Sequence, residues 1–277
     1  MPKTWFITGA SSGLGFEMTQ QLLAQGHKVV ATLRRPGTLA QLEQEYRERL
    51  DIVQLDLVKP ESIAAAVEGA FQRHGQIDVI VSNAGYGLFG AAEELTNEEI
   101  DRQIATNLTG SIHLIRAALP LLRRQGGGRI VQVSSEGGQI AYPGFSLYHA
   151  TKWGIEGFLE AVEQEVAPFS IDVIIAEPGP TGTNFGANLV QAIPLDAYAE
   201  TPAGAVRRAI SDGSFEIKGD AGRTVSAIIS AAESEKPPLR LTLGSTAYSS
   251  ISQALSARLS TLEAQQDVAA SADRPEL

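Results

Sequence analysis

The sequence predicts an α/β fold: a doubly wound, Rossmann-type parallel sheet of about seven strands with helices on both faces. Three observations predict it. Short, nearly continuous apolar runs alternate with longer amphipathic segments, as expected for strands covered on both faces. A glycine-rich turn closes the first apolar run and opens the first helix. No repeat, linker or shift of composition divides the 277 residues, so residues 1–277 read as a single domain.

The elements follow in order. Trp5–Thr8 reads as the first strand and Gly13–Gln25 as the first helix. Lys28–Leu33 is the next strand and Leu39–Arg49 the next helix. Asp51–Leu55, Ile77–Ser82, Arg129–Ser134 and Ile171–Ala176 are further strands, with helices over Pro60–Arg73, Glu98–Arg124 and Phe145–Val166. Gly126, Gly127 and Gly128 form a helix-to-strand turn. The C-terminal third is less regular: one strand, Leu239–Leu243, and one last helix, Ala247–Leu262. Residues 265–277 are polar and alanine-rich and read as a flexible tail.

Composition excludes several function classes. There are no cysteines, hence no disulfide, thiolate metal site or cysteine nucleophile. Four scattered histidines, His27, His74, His113 and His149, lack metal-ligand spacing, so no metal is expected. A net charge of −10 disfavours nucleic acid and anionic membrane as partners. No cationic leader is visible, and no apolar run nears the roughly 20 residues that span a bilayer. A cytoplasmic location is expected.

The first strand ends in Thr8, Gly9, Ala10, Ser11, Ser12, Gly13, Leu14 and Gly15, and a helix follows. Glycines permit the tight turn, and the helix N-terminus offers free N–H groups to a pyrophosphate. Gly9, Ser11, Ser12, Gly13, Leu14 and Gly15 are therefore candidate cofactor contacts. Dinucleotide sites that select NAD place an acidic residue about 20 positions further on. Here the second strand ends in Leu33, Arg34 and Arg35. An arginine fork suits a 2′-phosphate, so Arg34 points to NADP(H). Arg35 reads equally well as a solvated charge.

Tyr148 and Lys152 lie four residues apart, on one helix face. Ser134 and Ser135 close the preceding strand, on the sheet edge that borders the binding crevice. Reducing a carbonyl requires a proton at oxygen as hydride reaches carbon. An ammonium beside a phenol lowers its pKa, and a serine hydroxyl can hold the carbonyl oxygen.

Together these residues resemble the short-chain dehydrogenases/reductases, over Thr4 to about Thr183. Thr8, Gly9, Gly13 and Gly15 match the family's glycine motif, and Asp56 and Leu57 its adenine-contacting pair. Asn83, Ala84 and Gly85 match the motif after the fourth strand, where Ser82 replaces a frequent second asparagine. Asn107 matches the helical asparagine, and Ser135, thirteen residues before Tyr148, sits at the spacing of the catalytic serine. Pro178, Gly179, Thr181 and the nearby Thr183 match the loop that contacts the nicotinamide.

The resemblance implies roles. Tyr148 is the general acid and base, Lys152 lowers its pKa and binds the nicotinamide ribose, Ser135 orients the substrate, and Asn107 holds a relay water. It also implies a homodimer or homotetramer, and likeness to NADP-preferring carbonyl reductases of the 17β-hydroxysteroid dehydrogenase kind. Residues 184–209, with Phe185, Leu189, Val190, Ile193, Leu195 and Tyr198, are expected to cover the substrate. Those side chains suit a hydrophobic ketone or secondary alcohol, or else simply cover the core. A dehydratase, an epimerase or a non-catalytic NADP-binding regulator on the same fold are the alternatives.

Overall fold

The computed structural model describes residues 1–35 and 37–274. Seven strands form one parallel sheet: β1 (Thr4–Thr8), β2 (Lys28–Leu33), β3 (Leu50–Gln54), β4 (Val79–Ser82), β6 (Gly128–Val133), β7 (Ile171–Pro178) and β9 (Arg240–Leu243). Their order across the sheet is β3-β2-β1-β4-β6-β7-β9. Two more, β5 (Leu88–Phe89) and β8 (Val190–Gln191), pair in a separate parallel ladder.

The strands are apolar on both faces because both faces are covered. Phe6, Val30, Ile80, Ile130 and Val173 point to one side, into a cluster completed by α3 (Pro60–His74), α5 (Gly110–Gln125) and α6 (Ser146–Val166). Trp5, Ile7, Val29, Ala31, Val79, Val81 and Ile174 point to the other. There they meet α1 (Gly13–Ala24), Leu42 of α2 (Ala40–Glu45) and α8 (Ala221–Glu233). Neighbouring strand residues thus serve opposite layers, the consequence of a two-residue side-chain period.

The chain runs outward from β1 to β3, then returns to lay β4 on the other side of β1. The two crossover directions diverge there, opening a crevice at the carboxyl ends of β1 and β4.

Several boundaries differ from expectation. The second helix stops at Glu45 instead of Arg49, because Tyr46 leaves helical geometry and Arg49 donates to the Leu23 carbonyl at 2.8 Å. The long helix expected over 98–124 is interrupted: α4 (Asn97–Ile104) passes into a π-helical turn, Ala105–Thr109, before α5. Ahead of the last long helix, the C-terminal third holds two helices that were not expected, α7 (Pro202–Ser211) and α8. Both carry a legible start: Thr201 accepts from Gly204 N–H and Asp220 from Arg223 N–H. The last long helix, α9, spans Ser245–Glu263. Within the expected tail, Gln266–Ala270 forms the short exposed helix α10, and residues 275–277 lie outside the described residues. Among the described residues no helix is long and apolar enough to cross a membrane.

Helix α4 opens with a reciprocal cap: Thr96 accepts from Glu99 N–H at 3.2 Å, and Glu99 accepts from Thr96 N–H at 2.9 Å. Replacing Thr96 with alanine should cost about 1 kcal/mol, read as a lower thermal midpoint. An unchanged midpoint would show that the cap carries no stability.

Candidate active site at the carboxyl edge of the sheet

The glycine loop is built by close approach. Gly9 and Gly13 have φ of 69° and 56°, in the left-handed region that favours glycine. A Cβ on Gly9 would lie 2.8 Å from Ala84 Cα, and one on Gly15 would lie 2.4 Å from the Gly9 carbonyl oxygen. Thr8 and Asn83 tie the loop to β4. The Thr8 hydroxyl accepts from Asn83 N–H at 2.9 Å and from Ala84 N–H at 3.1 Å. Asn83 Nδ2 donates to the Thr8 carbonyl at 2.9 Å. The Asn83 side chain therefore shapes the loop from beneath.

Ser11 and Ser12 are exposed, and Ser12, in extended geometry at the N-cap of α1, makes no side-chain cap. The start of α1 thus keeps its N–H dipole toward the crevice. Thr183 faces the loop, 3.7 Å from the Cβ position of Gly13. Gly179 donates its N–H to Leu243, and Thr181 Oγ1 donates to the Gly179 carbonyl at 2.8 Å, so the segment after Pro178 is fixed beside the same crevice. Asp56 is half-buried and Leu57 buried, past the end of β3. Arg34 is exposed just past β2. Burial raises the Tyr86 phenol, opposed by Arg102 and Arg34 and reinforced by Glu99.

Ser135, Tyr148 and Lys152 come together. Ser135 lies in extended backbone just past β6, its Oγ accepting from Gly137 N–H at 3.1 Å. Its side chain lies close enough to the Tyr148 hydroxyl to favour the ionised phenol. Lys152 Nζ lies 5.6 Å from the Tyr148 ring centroid and donates to the Val133 carbonyl at 3.0 Å.

Burial pushes the Tyr148 hydroxyl up to about 12, opposed by Ser135 and reinforced by the Glu136 and Glu156 carboxylates. Lys152 itself is only 7% exposed, and burial pulls it down to about 8.

Asn107 lies buried in the π-turn, a distortion often found at functional sites. Its side chain binds one residue twice: Oδ1 accepts from Tyr86 N–H at 3.1 Å, and Nδ2 donates to the Tyr86 carbonyl at 2.8 Å. It clamps the chain after Gly85, and its main-chain carbonyl accepts from the Ser111 hydroxyl at 3.3 Å. His149 is structural. Its Nε2 accepts from Tyr142 N–H and its Nδ1 donates to the Gly137 carbonyl, both at 2.8 Å, which fixes a neutral ring.

Only part of the 184–209 segment reaches the site. Phe185 packs edge-on to Tyr148, centroids 5.9 Å apart, and Leu189 contacts Gly87. Ile193 is 84% exposed and does not line the crevice. Glu94 anchors this segment. Its buried carboxylate accepts from Leu195 N–H at 2.9 Å, from Ala91 N–H at 2.7 Å and from Arg207. Arg207 in turn covers the Phe89 ring at 5.4 Å. Nothing local in the sequence signals a pair 113 positions apart. Among the described residues no cluster of three metal-ligating side chains occurs.

Burial acts to raise Glu94, but the Leu195 and Ala91 N–H groups and Arg207 outweigh it and hold the carboxyl below its usual 4.5. Such a group adds stability above its unfolded value and loses it as pH falls through the lowered folded value. Glu94→Gln should therefore lower the thermal midpoint at neutral pH, with the two proteins converging in acid below about pH 4. A constant gap down to acid pH would remove the charge from the account.

A short chain dehydrogenase family profile matches residues 3–194. Oxidoreductase BOA17 of Botryotinia fuckeliana is 34% identical, over 88% of this chain and 89% of its own. Bovine retinol dehydrogenase 8 is 34% identical over 72% of this chain and 66% of its own. The crystal structure of a short-chain dehydrogenase from Streptomyces avermitilis superposes with a TM-score of 0.92 at 36% identity, covering 99% of this chain and 100% of that one. Two further neighbours carry cofactors. The 3-ketoacyl-(acyl-carrier-protein) reductase of Brucella melitensis, with NADH, has a TM-score of 0.73 at 25% identity, over 87% of this chain and 96% of its own. The alcohol dehydrogenase of Thermococcus sibiricus, with 5-hydroxy-NADP, has a TM-score of 0.72 at 25% identity, over 88% of this chain and 96% of its own. With its parallel sheet, glycine loop and Ser-Tyr-Lys cluster, the chain belongs to the short-chain dehydrogenase/reductase family of oxidoreductases.

Proposed function

We propose that the protein transfers hydride between NADP(H) and a hydrophobic ketone or secondary alcohol, with Tyr148 as general acid and base. The observation that carries this reading is the Ser135–Tyr148 hydroxyl pair with the Lys152 ammonium over the phenol ring. The loop fits a dinucleotide: Gly9 and Gly15 let the backbone pack tightly against Ala84 and Asn83, and the N-terminus of α1 opens beside the exposed Ser11 and Ser12. Gly9, Ser11, Ser12, Gly13, Leu14 and Gly15 would hold the pyrophosphate. Asp56, Leu57, Asn83, Ala84 and Gly85 would border the adenosine half, and Pro178, Gly179, Thr181 and Thr183 the nicotinamide half. When bound, the cofactor supplies or accepts the hydride.

The protein's own part is proton handling and orientation. Burial keeps the Tyr148 phenol protonated through neutral pH, the form needed to donate to a developing alkoxide. Ser135 donates to the same oxygen and fixes its position. Lys152 places positive charge beside the phenolate left behind, and Asn107 holds the water that returns a proton. Phe185, Phe145 and Leu189 give the approach an apolar lining, which favours a hydrophobic substrate. The exposed Arg34 favours the 2′-phosphate of NADP(H). The same reading includes a cytoplasmic homodimer or homotetramer, joined through the outer face of α6, where Gly157 leaves open surface.

A panel of apolar ketones and alcohols with both cofactors tests this reading. Tyr148→Phe should reduce kcat by about a hundredfold or more, with cofactor affinity retained. Full turnover in that variant would reject the role, and substrate loss without cofactor turnover would favour a dehydratase or epimerase. Arg34→Ala should raise KM for NADPH about tenfold and leave NADH unaffected. Equal use of both cofactors by the unaltered protein would reject the NADP(H) preference.

A further inference from the structure

Tyr148, Lys152 and Glu156 repeat every fourth residue along one face of α6. Glu156 takes no part in the proton transfer described above, yet it is only 1% exposed. A carboxylate buried so deeply requires partners. Ser134 donates its hydroxyl to Glu156 Oε1 at 2.5 Å, and Arg240 Nη1 donates to Oε2 at 2.6 Å. Arg240, on β9, also binds Glu160 and the buried Glu177. Space for Glu156 depends on Gly138, where a Cβ would fall 1.7 Å from Oε1.

These contacts bear on the reacting pair in two ways. The end of β6 is pinned to α6 at consecutive residues, Val133 by Lys152 and Ser134 by Glu156, and the next residue is Ser135. Burial raises the Glu156 carboxyl, Arg240 and Ser134 oppose that rise, and its charge in turn opposes the loss of charge imposed on Lys152 by burial. The other titratable and charged groups around this pair are Tyr148 on α6, Glu136 after β6, Glu177 on β7 and Arg240 on β9.

We propose that Glu156 is a positioning residue: through Ser134 it fixes the strand end that presents Ser135, and through its charge it keeps the Lys152 side chain an ammonium. Its place in turnover rests on the reading of Lys152 given above. Its hold on the lysine charge can be measured without turnover.

The protein has six lysines, so the full-length chain labelled with [13C-ε]lysine gives a simple NMR titration. The Lys152 signal is assigned by its loss in Lys152→Arg. Glu156→Gln keeps an oxygen for Ser134 but removes the charge, and it should lower the Lys152 midpoint by about one pH unit. The alkaline fall of kcat/KM should move the same way. Ser134→Ala should leave the midpoint in place and lower kcat several-fold, with Ser134→Thr restoring it. An unchanged midpoint in Glu156→Gln overturns the electrostatic role, and an unchanged kcat in Ser134→Ala overturns the strand clamp. Should Glu156→Gln not fold, Glu156→Met removes the same charge with an apolar side chain of similar size and is read identically. An unaltered protein that turns over no carbonyl compound, but whose Lys152 midpoint still follows Glu156, would reject the reductase reading alone.

Discussion

The site depends on keeping one charged amine inside the protein. Lys152 is almost wholly enclosed, and burial favours its neutral form. The fold answers with a main-chain carbonyl, an aromatic face and a carboxylate one turn along the same helix. Each comes from an element placed by the sheet: Val133 from the end of β6, Tyr148 and Glu156 from α6. A parallel sheet brings these together because every strand ends on the same edge and every crossover helix returns past it. The amine can therefore sit beside the phenol only if β6 and α6 keep their register.

The second constraint is close backbone approach. Gly9 against Ala84, Gly15 against Gly9, and Gly138 against Glu156 are positions where a single added carbon meets an atom already in place. The first two shape the surface offered to a dinucleotide, past the ends of β1 and β4. The third lies past the end of β6 and admits the carboxylate behind the lysine.

Much of this was legible in the sequence, because its signals are local. Strands such as Lys28–Leu33 are continuous apolar runs, and Tyr148 with Lys152 declares a shared helix face by spacing alone. What was not legible depends on distance or on very short elements. The two-residue strands β5 and β8 have no periodicity to read. The π-turn at Ala105–Thr109 lies in a sequence that reads as uninterrupted helix. The Glu94–Arg207 and Glu156–Arg240 pairs join residues from distant parts of the chain, so neither partner reveals the other. The direction of the Tyr148 shift is equally hidden, since it depends on burial and on two carboxylates beyond the motif.

The central claim is that the Ser135, Tyr148 and Lys152 cluster receives a carbonyl oxygen beside a nicotinamide. A crystal structure with NADP+ and an unreactive apolar ketone analogue tests it most directly. The account predicts the analogue's oxygen within hydrogen-bond distance of both the Ser135 and Tyr148 hydroxyls, with its carbonyl carbon facing the nicotinamide ring. An oxygen bound away from both hydroxyls, with the ring elsewhere, would contradict it.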